Sequence, residues 1–143
     1  MKTIAFTIVM NDMVILELWL SYYTKYFDEC HVLLNGTKEV YNDYLAKMAE
    51  RLPFSYERTN GFAGDSPTTL RVIGDKQKEL LENHSWVLYC DCDEFIVPTR
   101  RYKNLRDFME RNKNMKKTRC ITYDVFQAED EGPIDFSKPY LRQ

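Results

Sequence analysis

The sequence predicts an α/β fold, with a mostly parallel sheet and helices on both faces. Three observations carry this expectation. Apolar runs of strand length alternate with amphipathic stretches of helix length along most of the chain, the pattern of successive β-α units. The strand-like runs are almost continuously apolar, as in strands covered on both faces. No internal repeat, linker or low-complexity segment interrupts the 143 residues, so one domain over 1–143 is the simplest account.

Residues 3–10 are β-branched and apolar and read as a buried first strand. Asn11 and Asp12 follow as helix N-cap types. From Met13 the positions Ile15, Leu18, Trp19, Tyr22 and Tyr26 match the spacing of one helix face. Asp28-Glu29 closes this helix, and 30–34 is a second strand stopped by the turn signal Asn35-Gly36. A second helix is expected over 38–51, with Val40, Tyr44, Leu45 and Met48 on one side. Pro53 ends it, and 54–58 is a short third strand.

A loop over 60–67 leads to a third helix over 68–83, with Leu70, Ile73, Gln77, Leu80 and Leu81 near one stripe and Gly74 in its middle. The run 86–90 is the next buried strand, read as a central one. Pro98 breaks the chain after it, and a helix forms around Leu105, Phe108 and Met109. A last strand is expected over 118–126, and 127–143 shows no clear element.

Composition narrows the functional classes. The chain is 44% apolar and 29% charged, with a net charge of -2, which offers no bulk electrostatic basis for nucleic-acid binding. No apolar run reaches the ~20 residues of a membrane-spanning helix. The start, Met1-Lys2-Thr3, leads directly into an apolar segment broken by Thr7, unlike a secretory signal. Cys30, Cys90, Cys92 and Cys120 lack the paired-knuckle spacing of a zinc site and read as free thiols of a cytoplasmic protein. His31 and His84 lie in no nucleophile motif, and neither a Walker loop nor a G-x-G-x-x-G is present.

The chemistry concentrates in Trp86-Val87-Leu88-Tyr89-Cys90-Asp91-Cys92-Asp93-Glu94-Phe95. An apolar strand ends in three acids. If the extended conformation continues, Asp91 and Asp93 point the same way, and Cys90 and Cys92 point to the back of the strand. Two such carboxylates repel unless a cation sits between them. A divalent cation with oxygen ligands is the natural candidate. The carboxyl end of a strand in an open α/β sheet is also where ligands bind.

This stretch resembles the W-h-h-h-x-D-x-D-E-F signature of family 2-like glycosyltransferases with the GT-A (nucleotide-diphospho-sugar transferase) fold. Val9-Met10-Asn11-Asp12 followed by Leu18-Trp19-Leu20-Ser21-Tyr22-Tyr23 is similar to that group's h-x-N-E … E-W-h-x-Y-H run. Asn35-Gly36-Thr37 resembles its turn after the second strand, and Asn60-Gly61-Phe62-Ala63-Gly64 its loop after the third. The motifs occur in the family's order over about residues 3–97.

The resemblance implies a three-layer Rossmann-like GT-A sheet and a Mn²⁺ or Mg²⁺ cofactor. Asp91 and Asp93 would hold the cation, with Asp91 nearer the ribose. Thr7, Val9 and Asn11 would border the base and ribose, Asn35 the turn beside them, and Lys76 would reach the diphosphate. The implied partners are a nucleotide-diphospho-sugar donor, a UDP-sugar before others, and a glycan or other acceptor. Leu34 stands where the family commonly has an acid that contacts the base, and Tyr23 stands in place of His.

In that family the catalytic base and much of the acceptor site lie beyond the D-x-D, in a C-terminal half. With the chain ending at Gln143, the expectation is a domain truncated on the acceptor side, whose exposed apolar surface a homodimer would cover. Glu129, Asp130, Glu131 and Asp135 are the acids of the stretch 126–143, where that half would begin, and none is assigned as the base.

Two other classes compete. A sugar-nucleotide-binding or interaction module without catalysis shares the same donor site. A haloacid-dehalogenase-type phosphotransferase also places D-x-D after an apolar strand, but normally after the first strand. Here three β-α units precede it and Glu94-Phe95 follows.

Overall fold

A computed structural model of the chain describes residues 1–62 and 67–118. The expected strand over 118–126 (apart from Thr118), together with Cys120, Glu129, Asp130, Glu131 and Asp135, lies outside the described residues.

The elements run β1 (Thr3–Val9), α1 (Met13–Tyr23), β2 (Glu29–Asn35), a 3-10 turn (Glu39–Tyr41), α2 (Asn42–Ala49), β3 (Ser55–Thr59), α3 (Pro67–Leu81), β4 (Trp86–Tyr89) and α4 (Leu105–Arg111). The four strands form one sheet in the order β3-β2-β1-β4. All three pairings are parallel, with Phe6 opposite both His31 and Tyr89, and His31 opposite Ser55. The fold is α/β with a parallel sheet, as the sequence predicts.

Strand alternation divides the packing between two faces. On one face Ala5, Val9, Cys30, Val32 and Leu34 share a core with Leu16, Trp19 and Leu20 of α1, Leu45 and Met48 of α2, and Leu105 and Met109 of α4. Each fully buried side chain of this kind contributes about 1.5–3 kcal/mol. On the other face Phe6 packs on Tyr89, with ring centroids 5.1 Å apart. There α3 docks through Lys76, whose Nζ lies 2.9 Å from Glu57 of β3. Helices therefore cover both faces.

Several sequence expectations are corrected here. In α1 the buried residues are Met13, Leu16, Trp19, Leu20 and Tyr23, whereas Ile15, Leu18, Tyr22 and Tyr26 are only partly buried. Nearly every residue of this helix is apolar, so periodicity could not select the inward face. The expected helix over 38–51 begins as a 3-10 turn, leaving Val40 78% exposed. In α3, Leu70 is 74% exposed, and the buried residues are Thr69 and Lys76. Glu57 accounts for this, because a partner on β3 allows the lysine to turn inward. Among the described residues β4 pairs with β1 and is half-buried.

Asn35 ends β2 and ties it to the chain leaving β3. Its amide donates to the Phe62 carbonyl at 2.8 Å, and its carbonyl accepts from the Phe62 N–H at 2.8 Å. Gly36 and Gly61 then turn with φ of 63° and 77°. A Cβ on Gly36 would meet the Gly61 Cα at 3.4 Å, so the two Asn-Gly turns pack backbone on backbone.

The amino edge of the sheet is closed by charge pairs. The Asp28 carboxylate accepts from the Thr3 N–H (2.8 Å) and hydroxyl (2.9 Å), and Arg106 of α4 reaches it at 3.0 Å. Glu29 pairs with Lys2 at 2.7 Å and with His84 at 3.1 Å. The other ring nitrogen of His84 meets the Leu80 carbonyl at the end of α3, at 2.8 Å. No helix among the described residues is long and apolar enough to cross a membrane.

Partial burial alone would raise the Asp28 pKa, but the Thr3 and Arg106 contacts outweigh it and hold the carboxyl below its ordinary 3.8. A carboxyl depressed in the fold contributes stability above its unfolded value and loses it as pH falls through the folded one. Asp28→Asn is therefore expected to destabilise the protein at neutral pH. In urea unfolding, its gap from wild type narrows as pH falls below the ordinary 3.8 and closes once the lower folded value is passed. Gly36→Ala should cost about 1–2 kcal/mol in the same assay, the penalty of a Cβ in the left-handed region.

Candidate functional site

In the order β3-β2-β1-β4, the chain leaves β1 toward β2 on one side and later returns to β4 on the other. The carboxyl ends of β1 and β4 therefore flank the point where the strand order reverses, the place where open α/β sheets form a crevice. The two strands stop pairing at Phe6–Tyr89. β1 continues to Val9, whereas the chain after β4 turns away.

The turn is made by the acids themselves. The Glu94 N–H donates to the Asp91 carbonyl at 3.0 Å, and the Glu94 carboxylate accepts from the Asp91 N–H at 3.3 Å. The extended conformation expected through Asp91 and Asp93 thus does not continue. It is the turn, not strand alternation, that brings both carboxylates into one cleft. This cleft of about 490 Å³ is lined by Ile8, Asp12, Ile15, Asp91, Cys92 and Asp93. Cys92 lines it beside the acids and also packs against the core that holds Cys90.

Asp12 is the residue that sequence reasoning passed over. Its residue type suits a cap for α1, but its side chain makes no capping hydrogen bond. Its place directly after the first strand, at the same sheet edge as the D-x-D, was the available signal. Among the described residues no salt bridge involves Asp12, Asp91 or Asp93. Three carboxylates thus share a cleft without a cationic side chain to offset them.

A buried relay from α1 holds the turn in place. The Trp19 indole N–H donates to the Cys90 sulfur at 3.3 Å, and the Cys90 thiol donates to the Tyr23 hydroxyl at 3.3 Å. That hydroxyl donates to the Glu94 carbonyl at 3.2 Å and accepts from the Ile96 N–H at 2.9 Å. Tyr22 adds a bond to the Ile96 carbonyl at 2.8 Å, and the Phe95 ring lies parallel to that of Tyr23. Burial, above all, pushes the Cys90 thiol up to about 12 and the Tyr23 phenol well above its usual range, so both keep the protons the relay needs.

On the other sheet face the Tyr89 hydroxyl donates to Asp91 Oδ1 at 2.5 Å. Burial, and then this bond, raise the Tyr89 phenol well above its usual range.

The remaining expected site residues are placed differently. Thr7 and Val9 turn their side chains into the core, while Ile8 between them lines the cleft. Among the described residues the buried Thr7 hydroxyl has no hydrogen-bond partner. Asn11 accepts from the Lys38 N–H at 3.4 Å, and the Asn35 amide is occupied by Phe62. Lys76 is 9% exposed and is engaged by Glu57 at 2.9 Å and Glu79 at 2.8 Å.

The donors in the cleft suit a hard cation. They are carboxylate oxygens. The one soft group, the Cys92 thiol, is pushed up to about 11, by burial first and then by Asp93, Asp12 and Asp91, so it stays neutral. Among the described residues no three or more His, Cys, Asp or Glu side chains are gathered closely enough to hold a metal by themselves. Mg²⁺-type sites commonly use one or two carboxylates together with substrate phosphates. Asp91 and Asp93 fit that pattern.

Comparison with protein-family models, curated proteins and solved structures returned no match.

Tyr23→Phe keeps the ring and deletes the hydroxyl that joins Cys90, Glu94 and Ile96. The expected cost is about 1–3 kcal/mol in urea unfolding, the penalty for leaving buried partners unsatisfied. Amide exchange at Ile96 should quicken, while exchange in β2 stays close to wild type.

Proposed function

We propose that the chain is a divalent-metal-dependent glycosyltransferase, or the donor-binding part of one, acting on a nucleotide-diphospho-sugar. One observation carries this reading: Asp91 and Asp93 share an open cleft with Asp12 at the sheet's switch point, with no salt-bridged cation among the described residues to neutralise them. The D-x-D-E-F resemblance and the α/β fold support it.

Asp91 and Asp93 hold the cation, Mn²⁺ or Mg²⁺. When bound, the cation supplies Lewis-acid neutralisation of the leaving diphosphate. Ile8 and Ile15 give the cleft an apolar wall against which the nucleoside packs. The Tyr23 relay keeps the acidic turn rigid, which lowers the cost of ordering it on binding. Lys76 takes no part, because Glu57 and Glu79 already hold its ammonium. The preferred donor is a UDP-sugar, in keeping with the D-x-D-E-F resemblance.

Calorimetry with UDP and GDP, with and without Mn²⁺, tests the reading on wild type and Asp93→Ala. Nucleotide binding should require Mn²⁺ and weaken by about tenfold or more in the variant, which loses a charged ligand. Absence of nucleotide binding under all conditions would overturn it. Hydrolysis or transfer of the bound sugar by the intact chain then separates a transferase from a binding module.

A further inference from the structure

Tyr89 and Phe6 form the last paired row of β4 and β1, directly before the strands part to open the cleft. Phe6 is fully buried, and the Tyr89 ring lies against it with a centroid separation of 5.1 Å and an interplanar angle of 54°. Cross-strand packing of this kind restricts the ring to a narrow range of orientations. Its hydroxyl donates to Asp91 Oδ1. Asp91 is itself exposed and sits on a turn, where a carboxylate without a partner would sample several rotamers. The phenol thus links a rigid core position to a surface carboxylate. A carboxylate anchored through one oxygen can present the other in a defined direction.

We propose that Tyr89 is a positioning residue for cation binding: it orients the Asp91 carboxylate so that its second oxygen meets the metal. This rests on the cation site of the proposed function and adds a residue that no part of the D-x-D pattern demands. A Phe at this position would satisfy the strand and the packing on Phe6 equally well. The hydroxyl therefore has a role apart from the fold. Outer partners of ligating carboxylates typically govern metal affinity by tenfold or more.

The test is titration of the full chain with Mn²⁺ alone and with Mn²⁺ plus UDP, by calorimetry, on wild type, Tyr89→Phe and Asp93→Ala. Tyr89→Phe should unfold at the same urea concentration as wild type, yet bind Mn²⁺ roughly tenfold more weakly. A spectroscopic signature accompanies this. Titration with diamagnetic Mg²⁺ should perturb tyrosine absorption in wild type, as the phenol's carboxylate partner takes up the cation, and that perturbation should vanish in Tyr89→Phe. Equal Mn²⁺ affinity in wild type and Tyr89→Phe would overturn the positioning role and leave the cation site standing. Failure of wild type to bind Mn²⁺, with or without UDP, would overturn both. A loss of affinity accompanied by an unchanged Mg²⁺ difference spectrum would also overturn the inference, since the effect would then not pass through the phenol.

Discussion

The Tyr23 hydroxyl is the interaction on which the acidic turn depends. It accepts from the Cys90 thiol and the Ile96 N–H and donates to the Glu94 carbonyl, so it joins the end of β4 to both sides of the turn. Every hydrogen bond in the relay has one donor-to-acceptor direction. The indole of Trp19 can only donate, and the Glu94 carbonyl can only accept. Because the relay is buried, breaking any link leaves a polar group without water to replace the lost partner. The turn therefore inherits the rigidity of α1, the helix packed most deeply into the core. A surface segment with three acids would otherwise be the least ordered part of this sheet edge.

The two edges of the sheet treat charge in opposite ways. At the amino edge Lys2 and Arg106 neutralise Glu29 and Asp28, and His84 adds a hydrogen bond to Glu29. At the carboxyl edge Asp12, Asp91 and Asp93 share a cleft, and none joins a salt bridge among the described residues. Pairing stabilises the first edge. The second holds like charges that repel, and a bound cation would relieve that repulsion. The fold tolerates this because the carboxylates are exposed, where water screens them. The cost becomes affinity once a cation and a diphosphate displace that water.

Much of the fold was legible in the sequence: the ends of the four described strands agree within a residue, whereas α1 stops at Tyr23, short of the expected Tyr26, and α2 begins at Asn42 rather than 38. β1, β2 and β4 stood out because they are short apolar runs closed by Asn-Asp, Asn-Gly or acids, whereas β3, Ser55–Thr59, is polar and mostly exposed. Helix faces were less legible. α1 is apolar nearly all round, so only its neighbours decide that Leu16 and Leu20 turn inward while Ile15 and Leu18 stay at the margin. In α3 the pattern pointed to Leu70 and Leu81, yet Lys76 is the buried residue, because its partner Glu57 comes from a different strand. No local periodicity records an ion pair across such a separation.

The sequence by itself determined that Asp91 and Asp93 stand at the carboxyl end of an apolar strand in an α/β chain. It did so because strand-forming runs and acids are local features that need no partner to be recognised. Tertiary structure decided what surrounds them. The strand order set β4 beside β1, which placed Asp12 in the same cleft. Side-chain alternation on β1 turned Thr7 and Val9 into the core and left Ile8 at the cleft. The Glu94 bonds made a turn where extended chain was expected. Tyr23 and Tyr89 then took hold of that turn from opposite faces of the sheet. Each of these depends on residues far apart in sequence meeting in a closed core, a constraint that exists only after the chain has folded.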